Sequence, residues 1–393
     1  MTFRSVIKIP VGPQHPAIKE PENFMFEVDG ETVVDVKPRL GYVHRGIEKA
    51  LETRTHIQNL YLVERVCGIC SHAHTTCYTQ AVEELLGVNI PTRAEFIRVV
   101  VAELERIHNH SLWLGLAAHE IGFDTLFFYV WRDREIVMDL LERISGNRVH
   151  YAMNTIGGVR RDITPENAEK IKKGLDVLEE RMKYYKKIAM TEKTVLKRTR
   201  EVGMLKPKDA LALCAVGPTL RASGIKHDVR ADDPYVAYEE IPFNVITYDT
   251  CDVFSRVLVR CDEFLESINI IRYALDNLPR GKIRIRVSKK VPEGEAVSRV
   301  EAPRGELIHY AKTNGTTQPE RYKIRAPTLG NIPALCKMLV GGYIADIPIV
   351  IAGIDPCFSC MDRMAFMDVN KDKQWIWSGE ELRRYTTKWY RKE

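Results

Sequence analysis

Arg65-Val66-Cys67-Gly68-Ile69-Cys70 near one end of the chain and Asp355-Pro356-Cys357-Phe358-Ser359-Cys360 near the other decide the fold. Each stretch holds a Cys-x-x-Cys pair. Two such pairs converging on one point make a soft four-sulfur site for a transition metal. Zinc knuckles usually keep their two pairs within tens of residues. Here the pairs lie nearly the whole chain apart, so a shared site must join the two ends of a large fold. On chemistry alone three readings stand: a redox metal, structural zinc, and no metal.

Outward from these pairs the chain is ordinary in composition. It has 393 residues, 45% hydrophobic and 28% charged, enough for a large core and two or three structural units. A net charge of +5, with both signs interleaved, gives no case for nucleic acid. No stretch of eighteen apolar residues occurs, and the N-terminus lacks the apolar core of a signal peptide. The expectation is a cytoplasmic chain, peripheral to a membrane through partners. The other five of the nine cysteines (Cys77, Cys214, Cys251, Cys261, Cys336) stand singly and read as buried apolar thiols. None adds iron–sulfur spacing, so any cluster delivering electrons would lie on another subunit.

Periodicity predicts an α+β chain in four parts. Residues 1–60 read as β-rich, with a hairpin of Phe24 to Val28 and Thr32 to Val36 around Asp29-Gly30, and a loop at Gly12-Pro13-Gln14-His15-Pro16. Residues 61–280 read as a helical bundle. Its helices are one capped by Thr92 with Glu95 as a capping box, one ending near Gly146, one from Pro165 to Tyr185, and one from Asp252 to Leu278. Residues 281–363 read as mixed, with an exposed strand at Lys282 to Val287, a helix near Ile332 to Leu339, and a buried strand at Ile347 to Ile354 delivering Asp355. Residues 364–393 read as a tail. In it Ser378 and Glu381 make a capping box, and Leu382, Tyr385 and Trp389 share one face of a docked amphipathic helix.

The two cysteine motifs resemble the signatures of nickel–iron hydrogenase large subunits. Gly12-Pro13-Gln14-His15-Pro16, His44-Arg45-Gly46-Ile47-Glu48-Lys49, Leu220-Arg221-Ala222-Ser223-Gly224, Glu301-Ala302-Pro303-Arg304-Gly305-Glu306 and Lys323-Ile324-Arg325-Ala326-Pro327 resemble the quinone-site subunit of respiratory complex I. Similarity to both marks the membrane-bound, energy-converting group between them. The resemblance implies that Cys67, Cys70, Cys357 and Cys360 bind nickel, with Cys70 and Cys360 bridging to an iron that carries diatomic ligands. It puts Arg304 above the metals, where a fixed guanidinium stabilises negative charge, and Glu20 as the carboxylate passing protons to and from a cysteine sulfur. Without the resemblance, Glu20 reads as a solvated loop acid. His119 or Glu120 falls where relatives keep an acid or imidazole over the site. Glu48 is either a support behind the metal or a helix salt bridge. His72 and His74 are candidate donors behind the ligands, and His15 matches a quinone-contacting histidine.

In hydrogenases a C-terminal extension, here beginning after Arg363, is removed once the metal is loaded. A capped helix in the tail reads as built to stay. That favours the sulfane-sulfur reductase of anaerobic archaea, which resembles these hydrogenases but has no nickel–iron centre. This chain would then bind no cofactor itself and would form the cavity beside a 4Fe-4S cluster of an adjacent small subunit. Further peripheral and ion-translocating membrane subunits, and ferredoxin as electron donor, complete that reading. The alternatives are a hydrogen-evolving hydrogenase with a nickel–iron centre and a quinone reductase module.

Overall fold

Phe24, Phe26 and Val28 alternate with more polar residues, and all three are fully buried. In the computed structural model, which describes residues 6–361, 363, 366–368, 373–375 and 379–391, they form the inner face of a three-stranded antiparallel sheet. Its strands are β1 (Ile7–Val11), β2 (Asn23–Asp29) and β3 (Thr32–Arg39), in that order. The expected hairpin is present, with Gly30 at φ 64° at its tip, a conformation glycine adopts without strain. β1 was not foreseen from sequence. The Gly-Pro-Gln-His-Pro loop connects β1 to β2.

Helices follow: α1 (Ile47–Leu51), α2 (His56–Glu64), α3 (Ser71–Leu86), α4 (Thr92–Glu120) and α5 (Asp124–Ser145). Two short strands, β4 (Asn154–Thr155) and β5 (Gly158–Val159), lead to α6 (Pro165–Thr191). The helices α7 (Lys193–Thr199), α8 (Pro207–Ala212), α9 (Gly217–Arg221), α10 (Val229–Asp232) and α11 (Val253–Asp276) complete the bundle. α4 is its axis, buried along most of its length and packed on α3, α5, α11 and a later helix at Ile347–Gly353. Its start departs from expectation: Thr92 is the first helical residue, Pro91 holds the cap position, and no side chain caps it. Caps do form where Thr164 accepts from the Asn167 N–H and Asp252 from the Ser255 N–H.

The C-terminal part is an antiparallel meander of β6 (Gly294–Ala302), β7 (Gly305–Thr313) and β8 (Pro319–Arg325), then α12 (Pro327–Leu339) and α13 (Ile347–Gly353). Two expectations fail here. Lys282 to Val287 is not a strand; only the Gly158–Arg284 bridge pairs it. Ile347 to Ile354 is a short helix, with Pro348 in its first turn where a missing N–H costs nothing. A brief all-apolar run carries no period, so burial alone could not choose between strand and helix.

In the tail, β9 (Phe366–Asp368) pairs with β10 (Lys373–Trp375), and α14 (Gly379–Tyr390) forms as expected. Within this chain alone Tyr385 and Trp389 stack on each other and are 47% and 62% exposed. Ser378 and the Leu382 side chain lie outside the described residues. Among those residues, no helix is long and apolar enough to cross a membrane.

Two hydrophobic clusters organise the chain. One unites the N-terminal sheet with the bundle, α12 and α13. The other unites α1, α2 and α3 with the β6–β8 meander, and it contains all four paired cysteines.

Candidate metal and reaction site

The four cysteines meet. Cys67 lies in the turn after α2 and Cys70 caps α3, while Cys357 and Cys360 lie in the turn after α13. The Cys67 and Cys357 Sγ atoms are 3.4 Å apart, those of Cys70 and Cys360 3.7 Å, and those of Cys357 and Cys360 2.9 Å. All four are unbonded thiols, buried to within 3%. The Ile69 and Cys70 N–H groups donate to Cys67 Sγ, which fixes the turn that presents it. Cys70 sits at a helix N-terminus, and hydrogen bonds with Cys360 and Cys67 pull its thiol down to about 6. Hydrogen bonds with Cys357, Cys67 and Cys70 push Cys360 well up.

Arg45 staples the two turns. Its guanidinium donates to the Arg65 carbonyl at 2.9 Å, to Val66 at 2.6 Å and to Ser359 at 2.7 Å. Thr328 Oγ1 takes the Cys357 N–H at 3.0 Å. On the other side, Glu105 of α4 accepts from the His72 and Ala73 N–H groups and from Ser71 Oγ, anchoring the start of α3.

Arg304 sits over the cysteines at the β6–β7 turn. Gly305 at φ 127° and Gly217 at φ 66° allow that turn to press on the start of α9; a Cβ on Gly217 would lie 2.4 Å from the Gly305 Cα. Arg304 Nε donates to the Asp355 carbonyl at 2.7 Å and Nη2 to Asp355 Oδ1 at 3.0 Å, while Nη1 is buried without a partner. Burial works against the cation, but Asp355 and the cysteines outweigh it and hold Arg304 firmly charged. Glu20 accepts from the Ser359 N–H and Oγ, both at 2.8 Å, and lies 3.8 Å from Cys357 Sγ. Burial and the neighbouring Cys357 push its carboxyl up to about 7.

Beside these groups is a cavity of about 230 Å³ walled by Glu20, Arg304, Glu120, Leu112, Trp113 and Ile351. Glu120, not His119, reaches it, and pairs there with Lys19. His119 is half exposed and hydrogen-bonds Asp124 at 2.7 Å. The other expected residues lie apart. His15 is exposed, its Nδ1 taking the Ala17 N–H within the loop. Glu48 binds Lys323, Arg363 and the Ile324 N–H, all outside its own helix, and so ties α1 to β8 and to the segment after Cys360. His72 faces the Arg98 carbonyl, and burial holds it neutral, at about 3. His74 is the histidine within reach: its ring joins Cys70 and Cys360 in a group whose ligand atoms lie within 4.8 Å of one another. Its Nδ1 meets His309 Nε2 at 3.1 Å, and its Nε2 has no partner. Sequence reasoning missed Arg45, Ser359, Lys19 and Asp355 as site residues, although three of them stand inside motifs already singled out.

Four convergent buried sulfurs under a charged arginine with a free N–H fit a thiolate-bound transition metal. The family model "Respiratory-chain NADH dehydrogenase, 49 Kd subunit" matches residues 120–290 and 285–363, and "Nickel-dependent hydrogenase" matches residues 45–117. The membrane-bound hydrogenase subunit alpha of Pyrococcus furiosus is 42% identical over 93% of this chain and 89% of that one. The carbon monoxide-induced hydrogenase of Rhodospirillum rubrum is 42% identical over 91% of this chain and 100% of that one. The solved structure of the archaeal membrane-bound sulfane sulfur reductase matches with a TM-score of 0.87 at 31% identity, over 92% of this chain and 100% of that one. The chain therefore belongs to the family shared by nickel–iron hydrogenase large subunits and the 49 kDa subunit of respiratory NADH dehydrogenase, and is a hydrogenase-like oxidoreductase subunit.

Proposed function

We propose that this chain is the large subunit of a membrane-bound, hydrogen-evolving nickel–iron hydrogenase. The observation that carries this reading is the meeting of all four Sγ atoms in one buried site. Cys67, Cys70, Cys357 and Cys360 would hold the metals, which when bound supply the redox chemistry. Arg304 offers a fixed cation with one free N–H above them. Glu20 takes or returns a proton at Cys357 Sγ, with Ser359 orienting its carboxylate. Glu120 and Lys19 flank the cavity through which small molecules would pass. An iron–sulfur subunit carrying a 4Fe-4S cluster, fed by ferredoxin, would pack over the cysteine face, and membrane subunits would carry the ion translocation. Residues after Arg363 would be removed once the metal is loaded.

Reduction of sulfane sulfur is the second reading. It is favoured by the likeness of the whole chain to the sulfane sulfur reductase and by a cavity roomier than dihydrogen needs. The tail does not choose between the readings, since α14 leaves Tyr385 and Trp389 exposed in this chain alone. In that reading the chain binds no metal. Elemental analysis of the complex purified without oxygen separates the two. About one nickel per chain, as a filled thiolate site requires, is expected, with hydrogen evolution lost in Cys360→Ser. A nickel-free complex that still reduces polysulfide would overturn the hydrogenase reading.

A further inference from the structure

Asn109 stands in the middle of α4, fully buried, on the face that also carries Leu112, Trp113, Leu116 and Glu120 to the cavity wall. Its Nδ2 donates to Asp355 Oδ2 at 2.8 Å. The other Asp355 oxygens, Oδ1 and the main-chain carbonyl, receive Arg304. Asp355 is itself held at φ 52°, a left-handed conformation rare outside glycine, immediately before Pro356 and Cys357. Such a residue stays where it is only if its surroundings fix it. The contacts divide that work: Arg304 grips one edge of the carboxylate, and Asn109 the other.

We infer that Asn109 is a positioning residue for the reaction site, acting through Asp355 to aim the unpartnered Nη1 of Arg304 over the cysteines. A carboxylate only accepts, so the carboxamide nitrogen must face it. Without that donor, Asp355 Oδ2 is left buried and unsatisfied, and Arg304 loses the fixed anchor that sets its direction. The inference rests on the hydrogenase reading.

The test uses the intact complex. Asn109→Ala is expected to lower hydrogen evolution about ten- to a hundredfold, the usual effect of removing a group that orients a site. Nickel content should stay unchanged, and the infrared bands of the diatomic ligands on iron should shift. In an Arg304→Lys background the same change should cost nothing further, because both act through one guanidinium. Asn109→Asp keeps the side chain's shape while replacing the donor with an acceptor, and should lose activity alike. Activity within twofold of the parent in both variants, loss of nickel, or effects that multiply with Arg304→Lys would each overturn the inference. If the parent complex holds no nickel and evolves no hydrogen, the hydrogenase reading falls on its own. The structure of the Asn109→Ala complex then decides, and Arg304 keeping both bonds to Asp355 overturns the inference.

Discussion

At the scale of single residues, the site is a set of groups whose ordinary behaviour has been bent by burial. Glu20 is the clearest case. A loop acid in water would be ionised at neutral pH, yet this one is tucked against Cys357 and fastened by both donors of Ser359. If it relays protons, Glu20→Gln should slow hydrogen evolution by about a hundredfold or more while nickel content is retained. Glu20→Asp, one methylene short of Ser359, should also be impaired. Turnover of Glu20→Gln equal to the parent's would remove the residue from the proton path. The two cysteine pairs stood out in sequence by their thiols, and Arg304 by a resemblance alone; the structure brings the four sulfurs together and puts Arg304 beside Asp355. The choice between His119 and Glu120 was not legible in sequence. Neighbours on one helix point about 100° apart, and only the packing of α4 against the loop ending at Glu20 tells which faces inward.

Elements, in turn, set where those residues stand. The β2–β3 hairpin was readable from alternation, and α6 and α11 from long helical stretches ended by turn and proline signals. α13 was not, because seven apolar residues in a row, most of them buried, carry no polar–apolar period. What sequence also hid was contact between distant elements, above all the meeting of α9 with the β6–β7 turn that presents Arg304. Gly217→Ala tests that contact. Its new methyl would meet backbone rather than a yielding side chain, at a φ that disfavours any side chain. The expected result is destabilisation of about 1–3 kcal/mol by thermal melting, together with activity lost beyond what the melt explains. A variant with the parent's melting temperature and rate would show that the turn does not depend on this approach.

Across the whole molecule, the bundle is held by buried charge as well as apolar packing. Glu103 on α4 is fully buried and accepts from Arg230, Tyr238, Arg106 and Ser267. Burial would raise its pKa, but the two arginines outweigh it and hold it down at about 2. A depressed folded pKa gives stability that is complete above the ordinary value near 4.5 and is lost as pH falls towards 2. Acid melts should therefore drop steeply over that window. Glu103→Gln, which leaves two buried arginines short of a partner, should cost about 3–5 kcal/mol at neutral pH and show a shallower acid slope. An unchanged slope would assign acid sensitivity to other groups.

The separation of the cysteine pairs bears on how the protein is made. Cys67 and Cys357 are 290 residues apart, and synthesis covers that distance in roughly a quarter of a minute to a minute. For that interval the first pair is a lone two-thiol chelate, open to zinc, copper or oxidation. The four-sulfur pocket exists only once the last turn arrives. In the hydrogenase reading, metal delivery must therefore wait for the last turn and depends on timing as much as on affinity.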